Sequence, residues 1–248
     1  MLEVTRAIDQ GAGVFYVYGN YSGDIMNFDM AAEMADLEGI KVRSLVGNDD
    51  VASSPRGQEH KRRGVAGIFF VYKAAGAAAA EGMALEEVLR VAEKVKANVR
   101  TMGVALTSCI VPEVGHASFS IGENEMEIGM GIHGEPGIRR GPLRQADEVV
   151  DEMMQPILAD LPFARGDEVA VLVNGLGATP KEELYVIYRR VAAILKAAGI
   201  AVFHVSVGEY ATSMEMAGAS ISLLKLDDET KRLLARPAQS PFFEQQQL

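Results

Sequence analysis

The chain has 248 residues, 48% of them hydrophobic, and a formal net charge of −10 at pH 7. This length allows one large or two small cores, and the negative charge disfavours a nucleic-acid partner, which needs clustered cations. The single cysteine excludes an internal disulfide, and no signal-peptide pattern or long uncharged apolar run is present, so we expect a cytoplasmic protein without a membrane span.

The first hundred residues predict an α/β layer. Residues 14–18 and 41–46 are β-rich runs that predict two strands. A helix is expected between them at residues 27–38, where apolar side chains recur at helical spacing. Two further helices are expected at residues 65–80 and 85–99. Strand, helix and strand in this order are typical of parallel strands.

The rest of the chain predicts a second set of strands and helices. Strands are expected at residues 103–110, 117–121, 126–132, 168–173, 201–207 and 219–226. Amphipathic helices are expected at residues 146–161 and 181–198, the second of them capped by Thr179. The chain after Pro237 has few apolar residues, which predicts a frayed tail.

Several charged or reactive residues receive an ordinary structural interpretation. Lys61–Arg63 is the densest basic run and is interpreted as part of a solvated loop. Two acidic groups, at residues 123–127 and 227–229, could bind a divalent cation, but solvated faces are the favoured interpretation. Cys109 lies between apolar stretches, which favours a buried strand cysteine over a nucleophile.

A histidine in a glycine-rich loop is the most informative feature. Residues 129–137 read GMGIHGEPG and place His133 among four glycines and a proline. Glycine permits tight backbone conformations and close approach, and imidazole can act as a base, a nucleophile or a metal ligand. On pattern alone, a histidine that merely satisfies a turn stays an open alternative. Glu135 is either a surface turn residue or a group that orients His133.

Two other loops follow predicted strands and could meet a ligand. Asp24 lies in a glycine-flanked loop after the first strand, where ligands of open α/β sheets bind, so it could act as a general base or simply as a capping residue. Residues 174–180 form a strand, a glycine turn and a helix start. They lack the lysine of a Walker loop, which favours a structural turn over a nucleotide site.

Four motifs together resemble the K subunit of dihydroxyacetone kinases. They are GNYSGDIMNF at residues 19–28, GMGIHGEPG at 129–137, VNGLGATP at 173–180 and SISLLKLDD at 220–228. They occur in the family's order, and the resemblance extends from about the first strand to about residue 237. It implies an α/β fold of two domains, residues 1–98 and 99–248, the second carrying the substrate histidine.

The resemblance also implies roles for individual residues. His133 would form a covalent hemiaminal with the ketone carbon of the substrate, and Asp24 would take the proton from the attacking hydroxyl. The substrate-binding residues would be Gly19, Asn20, Gly23, Gly131 and Gly134, with no metal ligand among them. Some family members carry lysine in place of Gly19, so its loss is expected to shift the preference toward another short ketose.

The resemblance implies a division of labour between subunits. ATP, or ADP with Mg, would sit on an L-type partner, and in the phosphotransferase-linked version phosphate would come through a third subunit. The first domain is expected to be truncated at its N-terminus, because the family's Gly-Gly-Gly-Ser-Gly-His-Glu-Pro segment has no counterpart here. We expect a homodimer that binds dihydroxyacetone and is inactive alone. The alternatives are a tetrulose (erythrulose) kinase subunit and a non-catalytic ketose sensor.

Overall fold

The computed structural model describes residues 1–248 and alternates helices with strands. The helices are α1 (Leu2–Ile8), α2 (Ser22–Leu37), α3 (Ile68–Ala80), α4 (Leu85–Asn98), α5 (Ala146–Asp160), α6 (Lys181–Ala198) and α7 (Asp228–Ala235). The strands are β1 (Val14–Gly19), β2 (Val42–Gly47), β3 (Val99–Ala105), β4 (Glu125–Ile128), β5 (Arg139–Pro142), β6 (Glu168–Gly175), β7 (Ala201–Gly208), β8 (Gly218–Lys225), β9 (Ala238–Ser240) and β10 (Phe243–Gln245). The predicted α/β class is confirmed. No helix is both long and apolar enough to cross a membrane.

The strands form two principal sheets. β1 and β2 pair in parallel, as the order of the first elements predicts. The larger sheet has six strands in the order β5-β4-β3-β8-β6-β7, and within it only β6 and β7 run parallel. β3 begins at Val99, next to the predicted boundary at residue 98, and the division into two domains stays a prediction.

Helices cover both faces of the six-stranded sheet. Successive residues of a strand point to opposite faces, and β6 shows this alternation in its packing. Val169, Val171 and Val173 belong to a core that includes side chains of α5 and α6. Leu172 belongs to a second core that includes side chains of α3 and α4 together with Leu45 of β2. The second core therefore joins the two sheets.

Several predicted boundaries were wrong around β3. The predicted strand 103–110 begins earlier and ends at Ala105, because β3 pairs with β8 only as far as Gly218. The predicted strand at 117–121 is absent, and a single bridge between Ile110 and Ala117 occupies its place. Cys109 is buried as expected, but in a loop, where its Sγ lies 3.2 Å from Ser118 Oγ.

The basic run Lys61–Arg63 is not a solvated face. Arg62 is 1% exposed, and its guanidinium donates two hydrogen bonds to Asp160 at the end of α5. Arg100 on β3 donates to the same carboxylate. Burial alone would raise the pKa of Asp160, but the hydrogen bonds from these two arginines hold it below its usual value. A sequence run of three cations gave no sign of this partner, because Asp160 lies about a hundred residues away.

Three smaller predictions were also wrong. Thr179 does not cap α6: its hydroxyl exchanges hydrogen bonds with the backbone of Gly218, and Pro180 stands at the cap. The tail forms the β9–β10 hairpin, and Phe243 packs against Phe69 with ring centroids 5.3 Å apart. Glu127, in one of the acidic groups, is buried and accepts a hydrogen bond from Arg140.

Candidate active site

The first wall of the site is the junction between β1 and α2. α2 begins at Ser22, five residues earlier than predicted, because Tyr21 adopts an extended conformation that ends the preceding loop. Asp24 therefore lies in the first turn of the helix and not in a loop. The first turn is a common position for an acidic residue, because the positive end of the helix dipole lies there.

The second wall is the loop Gly129–Gly137. Gly129 and Gly134 have φ of +79° and +83°, values that strain residues with a side chain, so the loop's path depends on glycine at both positions. The Gly134 amide donates to the Gly131 carbonyl and the Gly131 amide to the Glu135 carbonyl, which closes a tight turn around His133. The buried Glu127 accepts the Gly137 amide and fixes the end of the loop.

Glu135 holds the imidazole of His133. The Glu135 carboxylate accepts the His133 backbone amide at 3.0 Å and lies 3.3 Å from Nδ1. With Nδ1 as the donor, the neutral ring leaves Nε2 unprotonated and nucleophilic. The hydrogen bond to Glu135 raises the pKa of His133, burial opposes that rise, and the charge of Asp24 adds to it. Glu135 is thus the orienting group that the sequence left as one of two alternatives.

An aromatic side chain connects the two walls. The ring of Tyr21 packs edge-on against the imidazole, with centroids 4.4 Å apart and an interplanar angle of 78°. Gly19 provides the space for this ring, since a Cβ at residue 19 would lie 2.8 Å from Tyr21 Cε2. The glycine that the sequence singled out as a departure is therefore the residue that lets Tyr21 reach His133.

The two walls enclose one cavity. Its volume is about 300 Å³, and its lining includes Gly19, Tyr21, Asp24 and His133. The lining is otherwise mainly apolar, with Tyr72 and Tyr210 among its members. Small-molecule sites commonly combine an apolar lining with a few convergent polar groups. Here the convergent groups are one carboxylate and one imidazole, contributed by segments more than a hundred residues apart.

The other predicted substrate residues surround the cavity without lining it. The Asn20 amide donates to the backbone carbonyls of His60 and Arg62, so it holds the loop after β2. Gly23 is exposed on the first turn of α2. Gly131 packs against Glu135, and Gly134 packs against Phe119. Direct contact of these four residues with a substrate stays a prediction.

Three residues of the site were missed by sequence reasoning. Tyr21 lies inside the motif GNYSGDIMNF at residues 19–28, but the spacing of that motif does not show that Tyr21 contacts His133. Arg63 was assigned to solvent, although its guanidinium contacts the histidine loop. Asp49 is 2% exposed and accepts the amides of Val65, which lines the cavity, and of Gly67, which precedes α3. Asp49 lies 16 and 18 residues before these two partners, so no local sequence pattern signalled it.

The glycine turn at residues 174–180 is held by close backbone contacts. The turn at residues 174–180 uses Thr179 for the backbone of Gly218, and a Cβ at Gly177 would collide with the carbonyl of Met214. No group of three or more His, Cys, Asp or Glu side chains is arranged to hold a metal ion.

Comparison with known proteins places this arrangement in a family. The model of the Dak1 domain matches residues 1–242. The chain belongs to the Dak1 domain family. The predicted resemblance to dihydroxyacetone kinase K subunits is thereby confirmed.

Relatives of this Dak1 chain include a kinase subunit, a kinase for another ketose and an operon co-activator. The dihydroxyacetone-binding subunit DhaK of a PTS-dependent dihydroxyacetone kinase from Listeria innocua is 50% identical, over 97% of this chain and 72% of the relative. A D-erythrulose kinase from Mycolicibacterium smegmatis is 43% identical, over 97% of this chain and 42% of the relative. The structure of a dihydroxyacetone kinase operon co-activator, DhaQ, matches with a TM-score of 0.88 and 32% identity, covering 95% of this chain and 73% of that one.

Proposed function

We propose that this Dak1 chain is the ketose-binding subunit of a dihydroxyacetone kinase. The observation that carries the proposal is the shared cavity of about 300 Å³, into which Asp24 and an oriented His133 both project from separate segments. The relatives support it, because the name of the 50% identical protein is that of a dihydroxyacetone-binding subunit.

The geometry supports covalent capture of a ketone. Nε2 of His133 attacks the ketone carbon, a C–N bond forms, and the π bond of the carbonyl breaks. Nδ1 gives its proton to Glu135, water protonates the carbonyl oxygen, and Glu135 returns its proton to the hydroxide that is left, so that the net change is one proton moved from Nδ1 to oxygen and the product is a neutral hemiaminal. Fixing the substrate in this way removes entropy before the chemical step. It also discriminates against glycerol, which has no carbonyl carbon to attack.

We propose that Asp24 activates the captured substrate. It lines the same cavity as His133 and stands at the start of a helix. An ionised carboxylate can accept the proton of the terminal hydroxyl as that oxygen attacks phosphorus. Asp24 would therefore be the general base.

The phosphoryl donor would be held by a partner. We propose an L-type subunit that carries ATP, or ADP with Mg, and a homodimeric, cytoplasmic K subunit. We expect no phosphorylation of dihydroxyacetone by this chain and ATP alone, and turnover when an L-type subunit with its donor is added. A coupled assay of phosphorylated ketose measures both conditions. Turnover by the chain alone would contradict this division.

Two other assignments differ from the proposal in measurable ways. A tetrulose kinase subunit would use the same residues, and the 43% identical D-erythrulose kinase supports that alternative. A ketose sensor without catalysis is supported by the likeness to the DhaQ co-activator. Intact-mass spectrometry with dihydroxyacetone, erythrulose and glycerol tests which ketose is captured. Capture without turnover in the presence of the donor subunit would favour the sensor.

The pH dependence of capture tests the role of Glu135. The Glu135→Gln substitution removes the negative charge beside Nδ1, while the amide oxygen can still accept a hydrogen bond from Nδ1. The pKa of His133 is expected to fall, because the hydrogen bond to Glu135 is the main cause of its present elevation. The neutral, nucleophilic ring is then available at lower pH, so the acidic limb of the capture rate should shift to lower pH. An unshifted acidic limb would contradict the assignment.

A further inference from the structure

Arg63 belongs to the loop after β2 but makes its contacts with the histidine loop. Its side chain is 12% exposed. Nη2 donates to the Gly129 carbonyl at 2.8 Å, and Nη1 lies 3.4 Å from the Pro136 carbonyl. One guanidinium therefore binds the backbone near both ends of the loop that carries His133.

The rest of the guanidinium is fixed from its own side. Nε donates to Asp50 Oδ2 at 2.8 Å, and Asp50 is 1% exposed. The Arg63 amide donates to Ser53 Oγ at 3.0 Å. A planar guanidinium with donors in a fixed fork holds several acceptors at once, which a lysine ammonium cannot reproduce. Arg63 is thus an anchored clamp rather than a mobile surface cation.

Gly131 is the point at which Arg63 approaches Glu135. A Cβ at residue 131 would lie 2.2 Å from Glu135 Oε2 and 2.7 Å from Arg63 Nη1, so both charged groups converge on the space above this glycine. Glu135 is the carboxylate that orients His133. The cation therefore holds the loop backbone and also stands near the carboxylate that orients the imidazole.

The surroundings of His133 are otherwise acidic or phenolic. Glu135 faces it from its own loop, Asp24 from α2, and Tyr21 from the residue before α2. The Tyr21 hydroxyl is buried without a hydrogen-bond partner, and burial together with the charge of Glu135 raises its pKa. Arg63, its partner Asp50 and Asp49 are the remaining charges that act on this hydroxyl. Among these charged side chains, Arg63 is the one that is positive.

We propose that Arg63 is a positioning residue, which clamps the loop Gly129–Gly137 and counterbalances Glu135 so that His133 is held against the cavity. The proposal goes beyond the proposed function and rests on it only for the statement that His133 captures a ketone.

Two substitutions separate the clamp from the charge. Arg63→Lys keeps the cation but loses the fork, whereas Arg63→Met loses both. We expect amide hydrogen exchange in residues 129–137 to accelerate by ~10-fold or more in both variants, because the two backbone contacts are lost. The His133 pKa, read from the NMR titration of its ring C–H signals, should stay near the wild-type value in Arg63→Lys. It should rise in Arg63→Met, because Glu135 is no longer balanced.

Arg62→Lys is the matched control. Arg62 is the preceding residue, is more deeply buried and also forms a two-fold hydrogen-bonded pair, but its partner is Asp160 on α5. Its replacement should lower the midpoint of urea unfolding and leave the loop exchange and the His133 pKa unchanged. Circular dichroism verifies the fold of each variant, and Arg63→Lys decides the matter if Arg63→Met does not fold.

Failure of the proposed role of Arg63 can be distinguished from failure of the proposed ketose capture. Wild-type loop exchange in both Arg63 variants would overturn the clamp, as would equal acceleration in Arg62→Lys. Where the wild-type chain captures dihydroxyacetone, capture by the Arg63 variants should slow by ~10-fold or more, because misplacing a reacting group by about 1 Å can cost 100-fold. If the wild-type chain captures no ketose, the proposed function fails, while loop exchange and the His133 pKa still test the clamp.

Discussion

Replacing His133 with alanine is expected to abolish the mass increase that dihydroxyacetone produces in the intact protein. The imidazole is the side chain in this cavity that combines a nucleophilic nitrogen with an orienting carboxylate, since Glu135 fixes Nδ1 and leaves Nε2 free. The loss should be complete rather than partial, because no other cavity residue can form the same bond. Mass spectrometry before and after incubation with the ketose measures it directly.

His116→Ala serves as the control for this experiment. His116 is exposed, and its Nδ1 contacts only the neighbouring Ala117 carbonyl, so its removal changes the number of histidines without touching the cavity. This variant should capture the ketose like the wild type. Covalent capture by His133→Ala would show that another residue carries the adduct and would refute the assignment.

Replacing Asp24 with asparagine is expected to leave capture intact and to lower turnover. Asparagine keeps the size of the side chain in the first turn of α2 but cannot accept the hydroxyl proton as a base. A positioned acid–base group contributes ~10²–10⁴-fold in rate, and the reconstituted kinase should lose activity by that order. The measurement is turnover with the donor subunit, paired with intact-mass capture on the same sample.

Asp36→Asn controls for the charge and helicity of α2. Asp36 lies on the same helix, is exposed, and is absent from the cavity lining. Its replacement should change neither capture nor turnover. Near-normal turnover in Asp24→Asn would reject the general-base role, and loss of capture would instead assign Asp24 to binding.

The fold class and most elements could be predicted because their signals are local. α6 was predicted at its observed bounds, since one apolar face runs along it and Gly199 ends it in a left-handed conformation with φ of +73°. The strand expected at 117–121 failed for the opposite reason. Its short apolar pattern matches a strand, but a strand needs a partner, and β3 turns away from this segment after Ala105.

The residues of the candidate site also differ in whether their sequence signal is local. His133 and Asp24 could be predicted because each lies among glycines in a motif of the family, GMGIHGEPG and GNYSGDIMNF. Arg63 and Tyr21 act through partners that are remote along the chain: Arg63 meets the Gly129 carbonyl, and Tyr21 meets the imidazole. Charge and hydropathy at one position cannot reveal such a partner. A basic run therefore reads as a solvated surface even when one of its members is fully buried.

The contact between Gly19 and Tyr21 has an evolutionary consequence. Any side chain at residue 19 would place its Cβ 2.8 Å from the Tyr21 ring and 3.1 Å from the Gly64 carbonyl, and backbone cannot yield as a flexible side chain can. A lysine introduced at position 19 alone would displace the ring that rests on His133, so its effect depends on which residue occupies position 21. We therefore expect the two positions to be epistatic, so that tolerance of a side chain at residue 19 depends on the path of the chain around residue 21. A double-mutant cycle across residues 19 and 21 would measure that dependence as non-additivity.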